Sequence, residues 1–524
     1  MLNSPIPISQ ISSSPSVEMG ENSSLTAPFS QSPVDILFTI FLACLAGLKR
    51  SPPKGSEAHP IISISQVSRQ WRDLSLSMPA LWSVIDIDIL SGSMIPALEE
   101  RTSAFLLRSS ELPLKIRLST VSYDKLNSVP TSHLAGALID RIVGALLAHC
   151  HRWEELQVDS GGGWIEKGAP FHFFSTLKPD LVPKLKKIVL NFSAGLTDND
   201  GCPTPTIFLG PGLRNLTLRK FWAQFPVDTV NWRSLTELSI GEEDADGPGN
   251  IWFNGLAFIN IPFVVKALGQ CSNLVHCSIG LTFMMRRGVP QLTSMSPKDH
   301  IFLPRLQSLA LYGHWIPPAV SSSFDLPRMT CLSMLPQRST FNDENAIVEW
   351  GTRFGGQLTE FTFCFAALSR AHLLDLLPHL LSISCLRVIR RKPHPRLNDL
   401  GTHAPMALFD QVVLDKLTPN LNPENPIEAS GECWCPRLQT LHCVIPAAFR
   451  HREVKKSREG LISFIAARRI GHHGLALLKE LKLELDRDFF SEQSLKSTLR
   501  RRGVNCEHFF VEAYASDLGD VNGS

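Results

Sequence analysis

The chain of 524 residues has almost no charge imbalance: 51 Lys and Arg stand against 49 Asp and Glu, a formal net charge of +2. No global field draws it toward nucleic acid or an anionic membrane surface, so neither is expected as a partner. It also lacks a long apolar run. The stretch Ile36 to Leu48 falls short of the about 20 residues that a helix needs to span a bilayer. No basic-then-apolar signal opens the sequence, so the sequons at Asn191 and Asn215 read as chance matches. The twelve cysteines are scattered without metal-ligand pairing. The nearest pair, Cys433-Trp434-Cys435, has one intervening residue, which is not the spacing of a structural zinc site. Cysteines used this way read as buried, reduced thiols of a cytoplasmic or nuclear protein.

Catalytic signatures are missing too. Gly161-Gly162-Gly163 is followed by Trp164 and not by the Lys-Ser/Thr pair of a phosphate-binding loop. Ser175-x-x-Lys178 has a Ser–Lys nucleophile spacing without its companion motifs. His472-His473 lies between two glycines, with no third ligand at metal spacing. The expectation is a chain that is not an enzyme, with no catalytic residues, no metal and no cofactor.

The most informative stretch that is present runs from Gln66 to Trp82. Ile64, Val67, Trp71 and Leu74 fall at helical spacing, Arg69, Gln70, Arg72 and Asp73 fill the polar side, and Pro79 ends the helix. Leu81 and Trp82 then return the chain to the same core. Upstream, Ser32-Pro33-Val34-Asp35 has the chemistry of a helix start: a hydroxyl cap, a proline suited to the first helical position and an acid near the positive end of the dipole. Ile36, Leu37, Ile40 and Phe41 follow as an apolar stripe. The order Val67-x-Arg69-x-Trp71-Arg72-Asp73-Leu74, then Met78-Pro79-x-Leu81-Trp82, resembles the second half of the F-box of many fungal proteins, and Ser32 to Phe41 resembles its opening helix. Ser32 stands where many F-boxes have Leu, and a polar, Pro-rich segment from Lys49 to Pro60 lengthens the module. An unrelated small helical domain is the alternative.

From about residue 151 a second pattern recurs. Four copies open on Pro-basic-Leu/Met: Pro183-Lys184-Leu185-x-x-Ile188-x-Leu190, Pro304-Arg305-Leu306-x-x-Leu309-x-Leu311, Pro327-Arg328-Met329-x-x-Leu332-x-Met334 and Pro436-Arg437-Leu438-x-x-Leu441-x-Cys443. Looser copies begin at Leu213, Leu235, Leu274, Leu358 and Leu478. The logic is a turn followed by a short strand whose fourth and sixth positions share one face. A single unit cannot bury that face, so neighbours must stack. The pattern resembles the irregular leucine-rich repeats that follow F-boxes in fungal proteins. The Asn or Cys of the standard repeat is absent, with Ser193, Phe221, His314 and Asp486 in its place, so the loop backbone must find other partners. A different α/β repeat or an α+β domain is the competing architecture.

The expected fold class is therefore α/β: a small helical F-box-like module, then an irregular leucine-rich-repeat-like solenoid. The expected organisation is a disordered tail over 1–31, the F-box-like domain over 32–90, a mainly helical linker over 91–150 and the repeat domain over 151–524. In the linker, Leu98, Ala104, Phe105 and Leu107 form one helical pattern, Ala137 to Leu147 another, and Leu114, Ile116 and Leu118 share a strand face. Near the end, Glu459 to Arg469 reads as a helix, Leu475 to Leu485 as the last strand unit, and Ser491 to Arg502 as a helix closed by Gly503.

The resemblance implies a substrate-recruiting subunit of an SCF-type cullin–RING ubiquitin ligase. Its partners would be a Skp-family adaptor, through it a cullin scaffold, and a target protein of unknown identity held by the repeats. Pro33, Ile36, Leu37, Ile40 and Phe41 would contact the adaptor. Val67, Trp71, Leu74, Pro79, Leu81 and Trp82 would form the module's core. Arg387, Arg390 and Arg391, in a basic cluster with Lys392 and Arg396, are candidate target contacts because arginine suits bidentate anion binding; a solvated loop entrance is the favoured reading of the same residues. The competing functional reading is a repeat-type interaction protein, non-catalytic and not coupled to a ligase.

Overall fold

Each turn-and-strand unit ends in a segment whose alternate residues point to one side, and stacking those segments in register makes a sheet. A computed structural model describes residues 33–48, 60–89, 95–120, 132–160, 177–192, 206–219, 227–241, 261–281, 300–313, 318–336, 341–364, 368–389, 409–418, 433–445, 451–470, 475–485, 492–506 and 510–515. The expected tail over 1–31 lies outside the described residues, as does the Ser32 cap. The described parts of Met1–Ser83 and Leu107–Ser110 form one compact unit; those of Val84–Leu106 and Glu111–Ser524 form the other.

The first unit is helical: Val34–Leu48 (α1), Pro60–Val67 (α2), Arg69–Leu76 (α3) and Pro79–Trp82 (α4). α1 begins one residue later than the sequence suggests, and the Pro33 carbonyl accepts its first backbone bonds from Ile36 and Leu37. Ser68 caps α3, its hydroxyl accepting from the Trp71 backbone N–H at 3.1 Å. Leu37, Phe41 and Leu45 recur every four residues along α1 and bury one side of it with Ile61, Ile64, Met78, Leu81 and Trp82. Phe41 meets the half-buried Trp71 edge-on, ring centres 5.1 Å apart. The indole N–H of Trp82 donates to the Ser75 carbonyl at 2.8 Å, and the Arg108 guanidinium lies 4.5 Å from its ring centre.

Among the described residues the second unit is a parallel sheet of fourteen strands, with a separate short pair. In chain order the strands are Val84–Ile89 (β1), Leu114–Thr120 (β2), Trp153–Ser160 (β3), Lys187–Phe192 (β4), Asn215–Arg219 (β5), Glu237–Ile240 (β6), His276–Leu281 (β7), Ile301–Phe302 (β8), Ser308–Gly313 (β9), Phe324–Asp325 (β10), Cys331–Pro336 (β11), Glu360–Cys364 (β12), Cys385–Ile389 (β13), Thr440–Ile445 (β14), Glu480–Leu485 (β15) and Phe510–Ala515 (β16). The short β8 and β10 pair with each other, and the remaining strands follow one another across the sheet in chain order. Connections carry Ile95–Arg108 (α5), Ser132–Leu147 (α6), Ile261–Leu268 (α7), Phe341–Phe354 (α8), Arg370–Leu376 (α9), Gln411–Leu417 (α10), His451–Ile470 (α11) and Glu492–Arg501 (α12), or short 3₁₀ turns. Parallel strands require such crossovers.

All nine copies of the sequence pattern land on strands in one register. Ile188, Leu216, Leu238, Cys277, Leu309, Leu332, Phe361, Leu386, Leu441 and Leu481 are aligned neighbour to neighbour from β4 to β15. Every one of them is buried. Each contributes about 1.5–3 kcal/mol when fully removed from water. Two further units carry the same spacing with other apolar residues: Trp153-x-x-Leu156-x-Val158 on β3 and Ile383-x-x-Leu386-x-Val388 on β13.

The turns are closed by a backbone ladder. The carbonyl just after each first-position residue accepts two N–H groups from the next unit. Lys186 O accepts from Arg214 and Asn215, Arg214 O from Thr236 and Glu237, and Thr236 O from Val275 and His276. The series continues through Val275, Gln307, Thr330, Thr359, Ser384 and Gln439. The hydroxyls of Thr359 and Ser384 add bonds to the same carbonyls. The positions where the standard repeat has Asn or Cys, Ser193, Phe221, His314 and Asp486, follow the strands and lie outside the described residues.

Three expectations need correction. The strand array does not begin at residue 151: β1, within the range expected for the F-box-like domain, and β2, between α5 and α6, already belong to the sheet, β1 pairing with β2 and β2 with β3. β2 carries the strand face read at Leu114, Ile116 and Leu118; β1 alternates as plainly in Val-Ile-Asp-Ile-Asp-Ile, but helices on either side obscure it. Leu107 does not share a buried helical face with Phe105; Leu106 is buried and Leu107 is exposed. Leu475 to Leu485 is not the last strand unit either, since β16 pairs along β15 after α12.

The C-terminal part holds a buried cation. Arg468, on α11, donates from Nε to the Leu417 carbonyl (3.0 Å), from Nη1 to Pro436 (3.3 Å) and from Nη2 to the carbonyls of Trp434 (2.9 Å) and Cys435 (3.0 Å). One guanidinium thereby ties α10, the turn before β14 and α11 together. α12 ends before Gly503, which takes a positive φ of 77°.

In mid-sheet, Tyr312 lies against a glycine shelf. Its hydroxyl donates to the Ile240 carbonyl at 3.3 Å, and a Cβ on Gly280 would lie 2.7 Å from its ring. Gly280→Val is expected to displace that ring and lower stability by about 1–3 kcal/mol in urea unfolding of the full chain. A variant as stable as the parent would show that Tyr312 packs elsewhere.

Candidate functional site

Helix α1 has apolar residues on more than one side, and the unit it belongs to buries only one. Beside the buried line Leu37, Phe41 and Leu45 runs a second line, Val34, Phe38 and Leu42, at the same four-residue spacing, and it is exposed together with Ile36. Asp35 is the helix's one charged residue. A helix whose outer face is this apolar meets water at a cost, and such a face marks an interaction surface. The same unit also exposes Val67, Leu76 and Leu107.

The sequence-derived sites divide accordingly. Pro33 and Ile36 are exposed, Ile36 at 53%, and Ile40 is half-buried. Leu37 and Phe41 are fully buried; they hold α1 to its own unit and are not available to a partner, which corrects their assignment as adaptor contacts. The helix pattern shows which residues are apolar, but not which of two apolar lines faces inward. Val34, Phe38 and Leu42 are the residues that the sequence reading missed, and the signal was there: apolar residues on a second side of the helix. Among the proposed core residues, Leu81 and Trp82 are buried, while Trp71, Leu74 and Pro79 are half-buried. Val67 is 61% exposed and is not a core residue, although it ends α2 at three-residue spacing from the buried Ile64.

On the sheet, the face opposite the apolar column is polar. Near the first strands its charges pair across neighbours: Arg117 with Asp159 at 3.3 Å, and Lys115 with Glu155. Burial raises the carboxyls of Asp86 and Asp88 above the ordinary range, with Arg117 and Arg101 opposing. Thr217, Ser239, Ser278, Ala310, Ser333 and Thr362 then form a neutral row across the middle strands. Arg387 continues that row on β13, beside His442 and then Lys482. Its Nη1 lies 3.0 Å from Glu360 Oε2, so much of its charge is met within the sheet. Arg390, Arg391, Lys392 and Arg396 lie outside the described residues, as do Gly161 to Trp164, Ser175 and the His472-His473 pair.

Among the described residues no group of three or more His, Cys, Asp or Glu side chains could hold a metal ion. Burial pushes the thiols of Cys271, Cys435 and Cys443 up to about 12, which keeps them protonated and unreactive at neutral pH. Cys44, on α1, is exposed, unlike the buried setting expected for the cysteines. No described helix is long and apolar enough to cross a membrane.

No family model matches the chain, and no curated protein matches it. Among solved structures, the crystal structure of the Rad7 and Elc1 complex in yeast is similar over 88% of this chain and 97% of that one, at 11% identity and a TM-score of 0.29. A likeness that slight does not bear on function.

The two lines on α1 are separable by mutation. Ile36→Asp is expected to change the stability of the full chain by no more than about 0.5 kcal/mol, as for an exposed position. Leu37→Asp, one residue on, should unfold the helical unit and open it to limited proteolysis. Equal proteolytic resistance in the two variants would refute this division of the helix.

Proposed function

We propose that the chain is a non-catalytic recruiter, the F-box subunit of an SCF-type cullin–RING ubiquitin ligase. The helical unit docks a Skp-family adaptor, and the sheet unit holds a target protein. The observation that carries the reading is the exposed apolar line Val34, Phe38 and Leu42 with Ile36, on a helix already anchored by Leu37 and Phe41. An amphipathic helix needs one apolar side to fold; a second is accounted for by a partner. The motif order from Val67 to Trp82 supports the identity of that partner. Pro33, Ile36 and Ile40 remain contact residues, now joined by Val34, Phe38 and Leu42.

The contribution of such a subunit is proximity. Holding a target beside the ubiquitin-charged enzyme turns an encounter between separate molecules into one within a single assembly. A packed parallel sheet with a polar face running across many strands suits that task, because it can hold a bound target over several units without chemistry of its own.

The full chain, mixed with a purified Skp-family adaptor, should co-purify with it. Ile36→Asp and Phe38→Asp should each abolish co-purification while leaving the circular dichroism spectrum unchanged. Co-purification that survives both substitutions would remove α1 from the interface. No binding by the folded parent chain would favour the uncoupled interaction protein.

A further inference from the structure

The Pro-basic turns recur in sequence, but their placement becomes clear only in the fold. The first-position residues Leu185, Leu213, Leu235, Leu306, Met329, Leu438 and Leu478 all precede strands of one parallel sheet in one register. Residues at equivalent turn positions therefore line the same edge of the sheet, where the strands begin. Lys184, Lys186, Arg214 and Arg233 stand there on three consecutive units, Arg305 and Arg328 on two more, and Arg437 and Lys479 on the last two. All eight are exposed. Lys186 is paired with Glu154 at 2.8 Å, and none of the other seven makes an ion pair among the described residues. The cations form three groups along this edge, separated at β7 and at β12 and β13, and Glu154, Glu237, Glu360 and Glu480 stand at the same end of their strands.

We propose that this edge is a docking ridge for an acidic segment of a partner protein. Neighbouring strands lie about 4.8 Å apart, so consecutive units present cations at intervals that an extended chain rich in Asp and Glu can follow. Long lysine and arginine side chains adjust the remaining mismatch. Nucleic acid fits less well. Single strands are held by aromatic platforms as well as charge; beside these turns Trp153 and Trp232 are buried and Trp434 is half-buried, which leaves Phe302 as the exposed ring among them. The inference rests on the reading of the sheet unit as the part that holds targets, and it names their class; it does not depend on adaptor coupling.

The test uses the full chain and a fluorescein-labelled peptide of twenty alternating Glu and Ser residues, read by anisotropy at rising salt. The parent chain should bind, with affinity falling steeply as salt screens the contact. Arg305→Glu with Arg328→Glu should weaken binding by about tenfold or more, as expected for opposed charges at an interface. Lys184→Glu with Arg233→Glu should do the same. Arg214 is left in place because its guanidinium also bonds the Pro211 and Ser234 carbonyls. Arg500→Glu with Arg501→Glu, an equal charge change on α12, should have little effect. Binding that is absent in the parent, or equally weakened by the α12 pair, overturns the ridge. Tighter binding of single-stranded or duplex DNA, lost in the same ridge variants, overturns the acidic-protein assignment. A chain that binds the adaptor but not the peptide refutes the ridge alone; the reverse refutes the ligase coupling alone.

Discussion

The carbonyl that closes each turn and accepts two N–H groups from the next unit is the interaction on which the sheet domain depends. Only one geometry satisfies it: the next strand must start beside the previous one, parallel and in register. Once that is set, the fourth and sixth residues of every unit fall into continuous columns, and burial of those columns supplies the cohesion. It also explains how insertions are accommodated. The distance along the chain between units varies widely, yet the ladder runs from Lys186 to Gln439 without a break, because chain added between a strand and the next turn does not alter the junction. Backbone atoms perform this role, so no side chain marks it.

The helical unit follows a different economy. Its core is small, and α1 fills it with Leu37, Phe41 and Leu45 while leaving Val34, Phe38 and Leu42 outside. A free surface of that kind favours aggregation unless a partner covers it. No described helix is long and apolar enough to cross a membrane, and α1 joins its own unit through the Leu37 line while the Val34 line stays exposed.

The strands of the sheet were legible wherever the repeat used Leu, Ile, Met, Phe or Cys at three fixed positions. The units led by Trp153 and Ile383 follow the same spacing but begin on residues outside the Leu/Met opening, and they came to light only in register with their neighbours. β2 was legible as the strand face of Leu114, Ile116 and Leu118, whereas β1 was obscured by adjoining helices and β16 by the helix before it. At the candidate site the helix itself was legible from its cap chemistry and periodicity. Which apolar line is buried was not, since Leu37 and Phe38 are both strongly hydrophobic and only the packing of α1 against α2 and α4 decides between them. Val67 was misplaced for the same reason. The basic residues of the turns were visible as part of a motif, but their gathering on one edge is a property of the parallel register.

The most direct measurement of the central claim is hydrogen–deuterium exchange of the full chain with and without a purified Skp-family adaptor. The account predicts slowed exchange over residues 34–42 of α1, with the strands of the sheet unchanged. Exchange unaltered across α1, or protection confined to the sheet, would contradict it.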